Sequence, residues 1–290
     1  MSLSLSVKKI SHYMLHSKLN SIRQNSQRKK SVTHSQPHNS MDEKFTTKPA
    51  KSALPADVDA NAKILLVKHS KGWDCDRCSC WMQQNEIDFD WCYPADGDSF
   101  PNPQNYSGII SFGGAASAND CKSLEWIEQE LRFIETCMKH ELRFFGICLG
   151  AQLLARVMGA RVMPHDDKIR EVGFHRVDPT PQSGQFLQKP MMMMQWHSEG
   201  FELPECASCT AGGEVFPHQA FHLSEHVFGV QFHPEVNPQS LAVWHERNKT
   251  RPSGVLTEEQ RQVMMKDAKR YDESISEWLD GVLQRWVATT

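Results

Sequence analysis

From residue 63 onward, short runs of apolar residues alternate with longer stretches in which apolar positions recur at helical spacing. The runs of strand length are 64–67, 87–92, 108–112 and 142–147, and the helical stretches between and after them are 119–140 and 149–155. Buried strands that alternate with helices predict an α/β fold, with a mostly parallel central sheet flanked by helices.

Beyond residue 171 the strand-like runs lie closer together along the chain. They cover 172–177, 192–196, 220–223 and 227–232. Such short connections favour antiparallel additions to the sheet. The final stretch, 258–287, has apolar residues at helical intervals, which predicts one helix packed on the sheet or two helices with a break near Asp272.

The first 60 residues differ in composition from the rest. They are rich in Ser, Lys, Gln, His and Asn and poor in periodic apolar positions, so we expect a disordered basic extension over 1–60 and a folded domain over 61–290. Residues 1–40 hold seven Lys and Arg and no acid, as organelle transit peptides do. We expect a cytoplasmic protein, or a mitochondrial or other organelle protein if this segment is a targeting signal; a plain basic tail, or a true start at Met41, are the alternatives.

Charge and hydropathy limit the classes of partner. Removing the seven basic residues of 1–40 from the total of 32 leaves 25 basic against 35 acidic residues, so the folded part has no basic footprint for nucleic acid. No run approaches the length of apolar sequence that spans a bilayer. We therefore expect neither a nucleic acid nor a membrane as partner.

A cysteine lies between two glycines where a predicted strand turns into a helix, in the sequence Gly146-Ile147-Cys148-Leu149-Gly150. Glycine permits the close backbone approach that such a turn requires, and the residue at its apex projects outward. The positive end of the following helix favours a thiolate. The pattern therefore predicts a nucleophile at Cys148, with a small buried hydrophobic residue as the alternative.

A strand-like run about 85 residues downstream ends in His233-Pro234-Glu235. In an extended segment, residues two apart project to the same side, so the Glu235 carboxylate can reach the His233 ring. Cys148, His233 and Glu235 then supply a nucleophile, a base and an acid that orients the base.

These motifs, together with Ile109-Ile110-Ser111-Phe112-Gly113-Gly114, resemble those of the class I glutamine amidotransferase family. The similarity covers about residue 63 to the C-terminus and is nearest to stand-alone proteins related to the amidotransferase domain of GMP synthase. It implies a flavodoxin-like fold, no cofactor, and hydrolysis of glutamine to glutamate and ammonia through a glutamyl thioester on a Cys-His-Glu triad.

The oxyanion of that reaction needs preorganised N–H donors. The backbone of Leu149, which follows the nucleophile, is one candidate, and Gly113 or Gly114 is the other. The resemblance further implies substrate contacts at Gln152, Trp196 and His197. Ser198 and Glu199 replace the Gly-Asp that usually follows Trp-His in the family, and Ala115 replaces a common proline. These departures leave the substrate open.

The chain has nine cysteines, which include Cys75, Cys78 and Cys80 near His69 and the pair Cys206 and Cys209. The odd number and the absence of a secretory signal favour free thiols. The two clusters lie more than a hundred residues apart, which is unlike the halves of a structural zinc site, so we expect no metal. The run Met191–Met194 is interpreted as an apolar strand.

No phosphate-cradling glycine-rich loop accompanies these motifs, so the chain is not expected to consume ammonia itself. The remaining functions are a glutaminase subunit of a separate synthase, an independent hydrolase of γ-glutamyl peptides, and a non-catalytic binding or regulatory module of the same fold. The expected ligand is a small molecule, either glutamine or a γ-glutamyl compound. Hydrolysis of a γ-glutamyl amide is the preferred function.

Overall fold

The computed structural model describes residues 63–72, 75–249 and 256–288. The predicted basic extension over 1–60 and the targeting question therefore lie outside the described residues.

The strands follow in chain order. They are β1 (Ile64–Val67), β2 (Phe89–Cys92), β3 (Gly108–Ser111), β4 (Arg143–Ile147), β5 (Val162–Pro164), β6 (Glu171–Pro179), β7 (Met191–His197), β8 (Glu199–Phe201), β9 (Ser208–Gly212), β10 (Ala220–His222) and β11 (Val227–Val230). The helices are α1 (Arg77–Gln84), α2 (Glu125–Lys139), α3 (Leu149–Val157), α4 (Pro238–Asn248) and α5 (Glu258–Ala288), with short 3-10 turns at Pro94–Asp96, Pro103–Asn105 and Asp120–Lys122.

Nine of the strands in the described residues form one sheet in the order β2-β1-β3-β4-β11-β10-β9-β6-β7. The first five are parallel to one another. This β2-β1-β3-β4-β11 arrangement has the strand order of the flavodoxin-like α/β fold, which confirms the predicted fold class.

Antiparallel strands extend the sheet beyond β11, as the sequence predicted for this region. β10 pairs antiparallel with β9 and β11, and β6 with β7 and β9. The expectation was wrong in one respect, because β11 also pairs parallel with β4 and so completes the parallel part of the sheet. Hydrophobic pattern alone does not identify a strand's partner, and a buried strand between two neighbours can be parallel to one and antiparallel to the other.

The inner parallel strands β1, β3, β4 and β11 are mostly buried on both faces, because helices cover each side of the sheet. In β1, Ile64 and Leu66 join the apolar cluster beneath α1 and α5, whereas Leu65 and Val67 join the cluster beneath α2 and α3. Successive strand residues point to opposite faces, so a run of four apolar residues contributes to two cores at once.

The last helix, α5, is continuous through Asp272, so the break that the sequence left open is absent. Asp272 pairs there with the buried Arg77 of α1. The predicted helix over 119–140 is divided into a 3-10 turn and α2. Within the described residues, no helix combines the length and apolarity needed to cross a bilayer.

Candidate active site

The carboxyl ends of the parallel strands meet at one edge of the sheet. Ser111, the last residue of β3, lies opposite Gly146 of β4, and Val230, the last residue of β11, lies opposite Ile147. The residues that follow these strands are therefore brought together, as expected for a ligand site in this fold. They include Gly113 and Cys148.

Cys148 lies between β4 and α3 in a strained backbone conformation, with φ 49° and ψ −104°. The two flanking glycines make this turn feasible. A Cβ on Gly146 would lie 2.7 Å from the backbone of Gly150 and Ala151, and one on Gly150 would lie 2.1 Å from the carbonyl oxygen of Ser111. The close approach that the sequence predicted is therefore present, and Cys148 itself is 5% exposed.

His233 and Glu235 form a buried pair after β11. The distance from His233 Nδ1 to Glu235 Oε1 is 2.8 Å. The His233 backbone N–H donates to the Met194 carbonyl, and the Arg77 guanidinium donates to the carbonyl oxygens of Pro234 and Val236. The backbone on both sides of the pair is thus fixed by neighbouring elements.

The electrostatic environment of His233 favours the charged ring. Burial alone would lower the pKa of His233, but attraction to Glu235 and to Cys148, with hydrogen bonds to both side chains, raises it to about 10. Nδ1 is bonded to Glu235, so Nε2 is the ring nitrogen available to the Cys148 sulfur, and it has no hydrogen-bond partner among the described residues. The arrangement places the imidazole beside the sulfur, with its pKa raised by both neighbours.

A buried amide lies on another side of the sulfur. Gln231 Nε2 donates to Cys148 Sγ over 3.6 Å, and its Oε1 accepts from Gln152 Nε2 over 3.2 Å. Gln152 also donates to the Glu199 carbonyl. The predicted substrate residue Gln152 therefore lines the site, with its N–H groups oriented by these two partners.

Three backbone N–H groups in the candidate oxyanion region have no acceptor among the described residues. They belong to Gly113, Gly114 and Leu149. Leu149 is the first residue of α3, where the initial N–H groups lack intrahelical acceptors. A Cβ on Gly113 would lie 2.6 Å from His233 Cε1 and 3.4 Å from Cys148 Cβ, so this backbone passes directly beside the Cys-His pair.

The other two predicted substrate residues differ in their contacts. Trp196 is half-buried beside the site, and its ring packs on Trp244 with centroids 5.8 Å apart. His197 is buried and held by Glu171, whose Oε2 lies 3.1 Å from its Nε2, while Nδ1 bonds the Glu199 carbonyl. Burial lowers the pKa of His197, although Glu171 opposes this effect. The structure thus gives the two histidines separate carboxylate partners.

A cavity of about 570 Å³ opens over the sulfur. All the predicted site residues except Leu149 line it. The lining also includes polar and aromatic residues that no sequence motif indicated, namely Lys68, Asp76, Arg170, Trp244 and Arg247. Lys68 directly follows β1, so the rule that ligands bind at strand ends could have indicated it, whereas Trp244 and Arg247 come from α4 and carry no such signal.

The cysteine clusters lie apart from this cavity. Cys75 and Cys80 place their sulfurs 3.0 Å apart at the start of α1, and Cys78 is buried in the core. Within 63–72, 75–249 and 256–288, no three His, Cys, Asp or Glu side chains are grouped so that they could hold a metal ion.

The sequence matches the family model described as glutamine amidotransferase class-I over residues 84–248, which is more than half of the chain. Three curated relatives illustrate its range. A glutamine amidotransferase-like protein of Salmonella typhimurium is 23% identical over 208 residues, covering 68% of this chain and 81% of the relative. One subunit of the glutamine-hydrolysing GMP synthase of Methanococcus vannielii is 30% identical, and the match covers 47% of this chain and 67% of the relative. Gamma-glutamyl peptidase 5 of Arabidopsis thaliana is 27% identical, and the match covers 50% of this chain and 61% of the relative.

Among solved structures, a glutamine amidotransferase from Thermotoga maritima superimposes with a TM-score of 0.73 and 26% sequence identity. The match covers 79% of this chain and 99% of that one. The similarity therefore extends over nearly the whole of that chain.

Proposed function

Because the chain belongs to the glutamine amidotransferase class-I family, we propose that it hydrolyses γ-glutamyl amides through a glutamyl thioester on Cys148. Glutamine is the simplest such substrate and gives glutamate and ammonia. The catalytic groups of this proposal are Cys148 as nucleophile, His233 as acid and base, and Glu235 as the group that orients the imidazole. The observation that carries it is the buried His233 ring, held by Glu235 over 2.8 Å beside the strained backbone of Cys148.

The first step forms a bond between sulfur and the side-chain carbonyl carbon of the substrate. In this proposal the sulfur attacks as thiolate while His233, whose pKa is raised, holds the proton of the pair, and the carbonyl π electrons move to oxygen. The resulting oxyanion is assigned to the free N–H of Leu149 and to that of Gly113 or Gly114.

The second step breaks the carbon–nitrogen bond. His233 Nε2 gives its proton to the departing nitrogen, and ammonia or an amine leaves with the electron pair of the broken bond. The neutral ring then takes a proton from water as the water oxygen attacks the thioester. Rupture of the carbon–sulfur bond returns the thiolate and releases glutamate.

The size of the cavity favours a second candidate within the same chemistry, a γ-glutamyl peptide. A volume of about 570 Å³ lies within the range of about 300–1,000 Å³ that holds drug-sized ligands, which are larger than glutamine. The similarity to a gamma-glutamyl peptidase supports the same candidate. Cavity space beyond the γ-carbonyl would then receive the amine side of the scissile bond.

The test is the release of glutamate from L-glutamine and from γ-glutamyl dipeptides, measured in parallel on the purified chain. We expect Cys148→Ser to abolish release from every substrate. Cys121→Ala is the matched control, because Cys121 is a half-buried thiol outside the cavity, and its loss should leave the rates within about twofold, as for ordinary substitutions away from a site.

The pattern of activity separates the alternatives. Turnover of dipeptides but not of glutamine selects the peptidase. Glutamine turnover that appears only with a separately purified synthase selects the role of a synthase component, which the similarity to the GMP synthase of Methanococcus vannielii supports. If all substrates fail and a diazo-ketone glutamine analogue leaves Cys148 unlabelled, the hydrolase proposal is wrong, and a binding module remains.

A further inference from the structure

A second buried ionic group lies behind the glycine pair and takes no part in the proposed steps. His69 Nε2 lies 2.8 Å from Glu130 Oε2, and Ser111 donates its hydroxyl to Glu130 Oε1 over 2.7 Å. The side chains of His69 and Glu130 are 2% and 1% exposed. Burying a charged pair costs several kcal/mol per ion before their attraction is counted, so its presence at this position calls for a role.

The other nitrogen of the His69 ring reaches the candidate oxyanion region. Nδ1 lies 3.1 Å from the Gly113 carbonyl oxygen, and since a carbonyl only accepts, Nδ1 is the donor. Burial alone would lower the pKa of His69, but Glu130 and the bond to Gly113 raise it. The doubly protonated ring is thereby favoured, and it donates to Glu130 and to Gly113 at the same time.

This bond fixes the orientation of one peptide plane. The described residues contain no cis peptide bond, and in a trans peptide the C=O and the following N–H point in opposite directions. When His69 holds the Gly113 carbonyl on one side, the Gly114 N–H must point to the other. Both glycines line the cavity, and the Gly114 N–H has no acceptor among the described residues.

We propose that His69, supported by Glu130 and Ser111, is a positioning residue that aims the Gly114 N–H at the oxyanion formed over Cys148. The inference rests on the proposed function and selects Gly114 between the two glycines as the donor that acts with Leu149. The neighbouring side chains fit this role, because the His69 ring packs on Trp126 with centroids 5.1 Å apart, and a Cβ on Gly114 would lie 2.7 Å from Leu149 Cδ2 and 3.0 Å from His69 Nδ1.

Two substitutions separate positioning from structural support. An asparagine amide reaches the place of Nδ1, so His69→Asn keeps a donor for the Gly113 carbonyl and loses the bond to Glu130. A glutamine amide reaches the place of Nε2, so His69→Gln keeps the bond to Glu130 and loses the one to Gly113. A purely structural role predicts that the glutamine variant is the better enzyme; the positioning role predicts the reverse.

We expect His69→Gln to lower kcat by about 10- to 100-fold with KM within about threefold, as for a misdirected oxyanion donor. His69→Asn should retain kcat within about fivefold although it melts at a lower temperature than His69→Gln. The rate at which iodoacetamide alkylates Cys148 should change by less than about twofold in both, because that displacement develops no charge on a carbonyl oxygen. Equal kcat values, or the opposite order, would overturn the proposal.

Crystal structures of the two variants test whether His69 orients the Gly113–Gly114 peptide, even if the wild-type chain turns over no γ-glutamyl compound. In that case the proposed function is wrong, and the orientation of the Gly113–Gly114 peptide is measured instead of kcat. The Gly113 carbonyl should keep its direction in His69→Asn and rotate away in His69→Gln. An unchanged carbonyl in both variants overturns the inference.

Discussion

The tight turn at Gly150 permits a test of the site's architecture that does not depend on the substrate. In Gly150→Ala the new Cβ would lie 2.1 Å from Ser111 O and 2.6 Å from Ser111 Oγ. Ordinary contacts begin at about 3.5 Å, so the end of β3 and the first turn of α3 must separate by about 1.4 Å. Overpacking usually costs about 1–3 kcal/mol, and because this clash is with backbone we expect about 3 kcal/mol or more.

The matched control is Gly281→Ala in α5. Its Cβ would meet only the flexible end of Arg285, at 3.3 Å. Replacing glycine by alanine inside a helix stabilises by about 0.5–1 kcal/mol. Replacing glycine by alanine is therefore expected to lower the free energy of unfolding at position 150 and to raise it at position 281.

Thermal unfolding followed by circular dichroism measures both variants. At about 2–4 °C per kcal/mol for a domain of this size, Gly150→Ala should lower Tm by about 6–12 °C, and Gly281→Ala should raise it by about 1–4 °C. A Tm for Gly150→Ala within about 2 °C of the wild type would refute the argument that backbone contact requires glycine at this turn.

Three further variants probe the rest of the site. In the wild type, the charged His233 ring stabilises the fold fully below its ordinary pKa of 6.5, and this stabilisation is lost as pH rises towards about 10. Glu235→Gln should lower the pKa of His233, so the same stabilisation should be lost at lower pH. Urea unfolding between pH 6 and 10 measures the free energy of unfolding of both chains, and an unchanged pH profile contradicts the prediction. Arg77→Leu leaves the carbonyl oxygens of Pro234 and Val236 without their donor and should lower the free energy of unfolding by about 2–3 kcal/mol. Asp272→Asn removes only the ion pair with a half-exposed carboxylate and should lower it by about 1 kcal/mol or less. Equal losses in urea unfolding would show that this ion pair, and not the carbonyl contacts, dominates. Gln231→Leu removes an N–H donor from the Cys148 sulfur and should speed its alkylation by iodoacetamide about twofold, because a thiolate with one hydrogen bond fewer is the stronger nucleophile; an equal or slower rate argues against that contact.

The sequence was most informative where the backbone itself restricts the choice of residue. Gly146 and Gly150 are required by contacts of their own backbone, so the turn at Cys148 could be predicted from neighbouring residues alone. His233 and Glu235 were predictable for a similar reason, since two residues in an extended segment share a side. In both cases the groups that must come together, Gly146 with Gly150 and His233 with Glu235, are close in the sequence, so local backbone geometry sets the distance between them.

Features that depend on distant partners could not be predicted in this way. His69 and Glu130 lie 61 positions apart, and no periodicity relates them. The parallel pairing of β11 with β4 depends on the order of strands in the sheet, which the apolar pattern of either strand leaves undetermined. Trp244 reaches the cavity from α4, a helix that the sequence interpretation did not include.

The strained backbone of Cys148 has a consequence for engineering. Conformations of this kind cost roughly 1–3 kcal/mol, and glycine would relieve much of that cost. A library screened only for heat resistance should therefore enrich chains in which the nucleophile has been replaced. Directed evolution of this protein would need to select for turnover and thermostability in the same round.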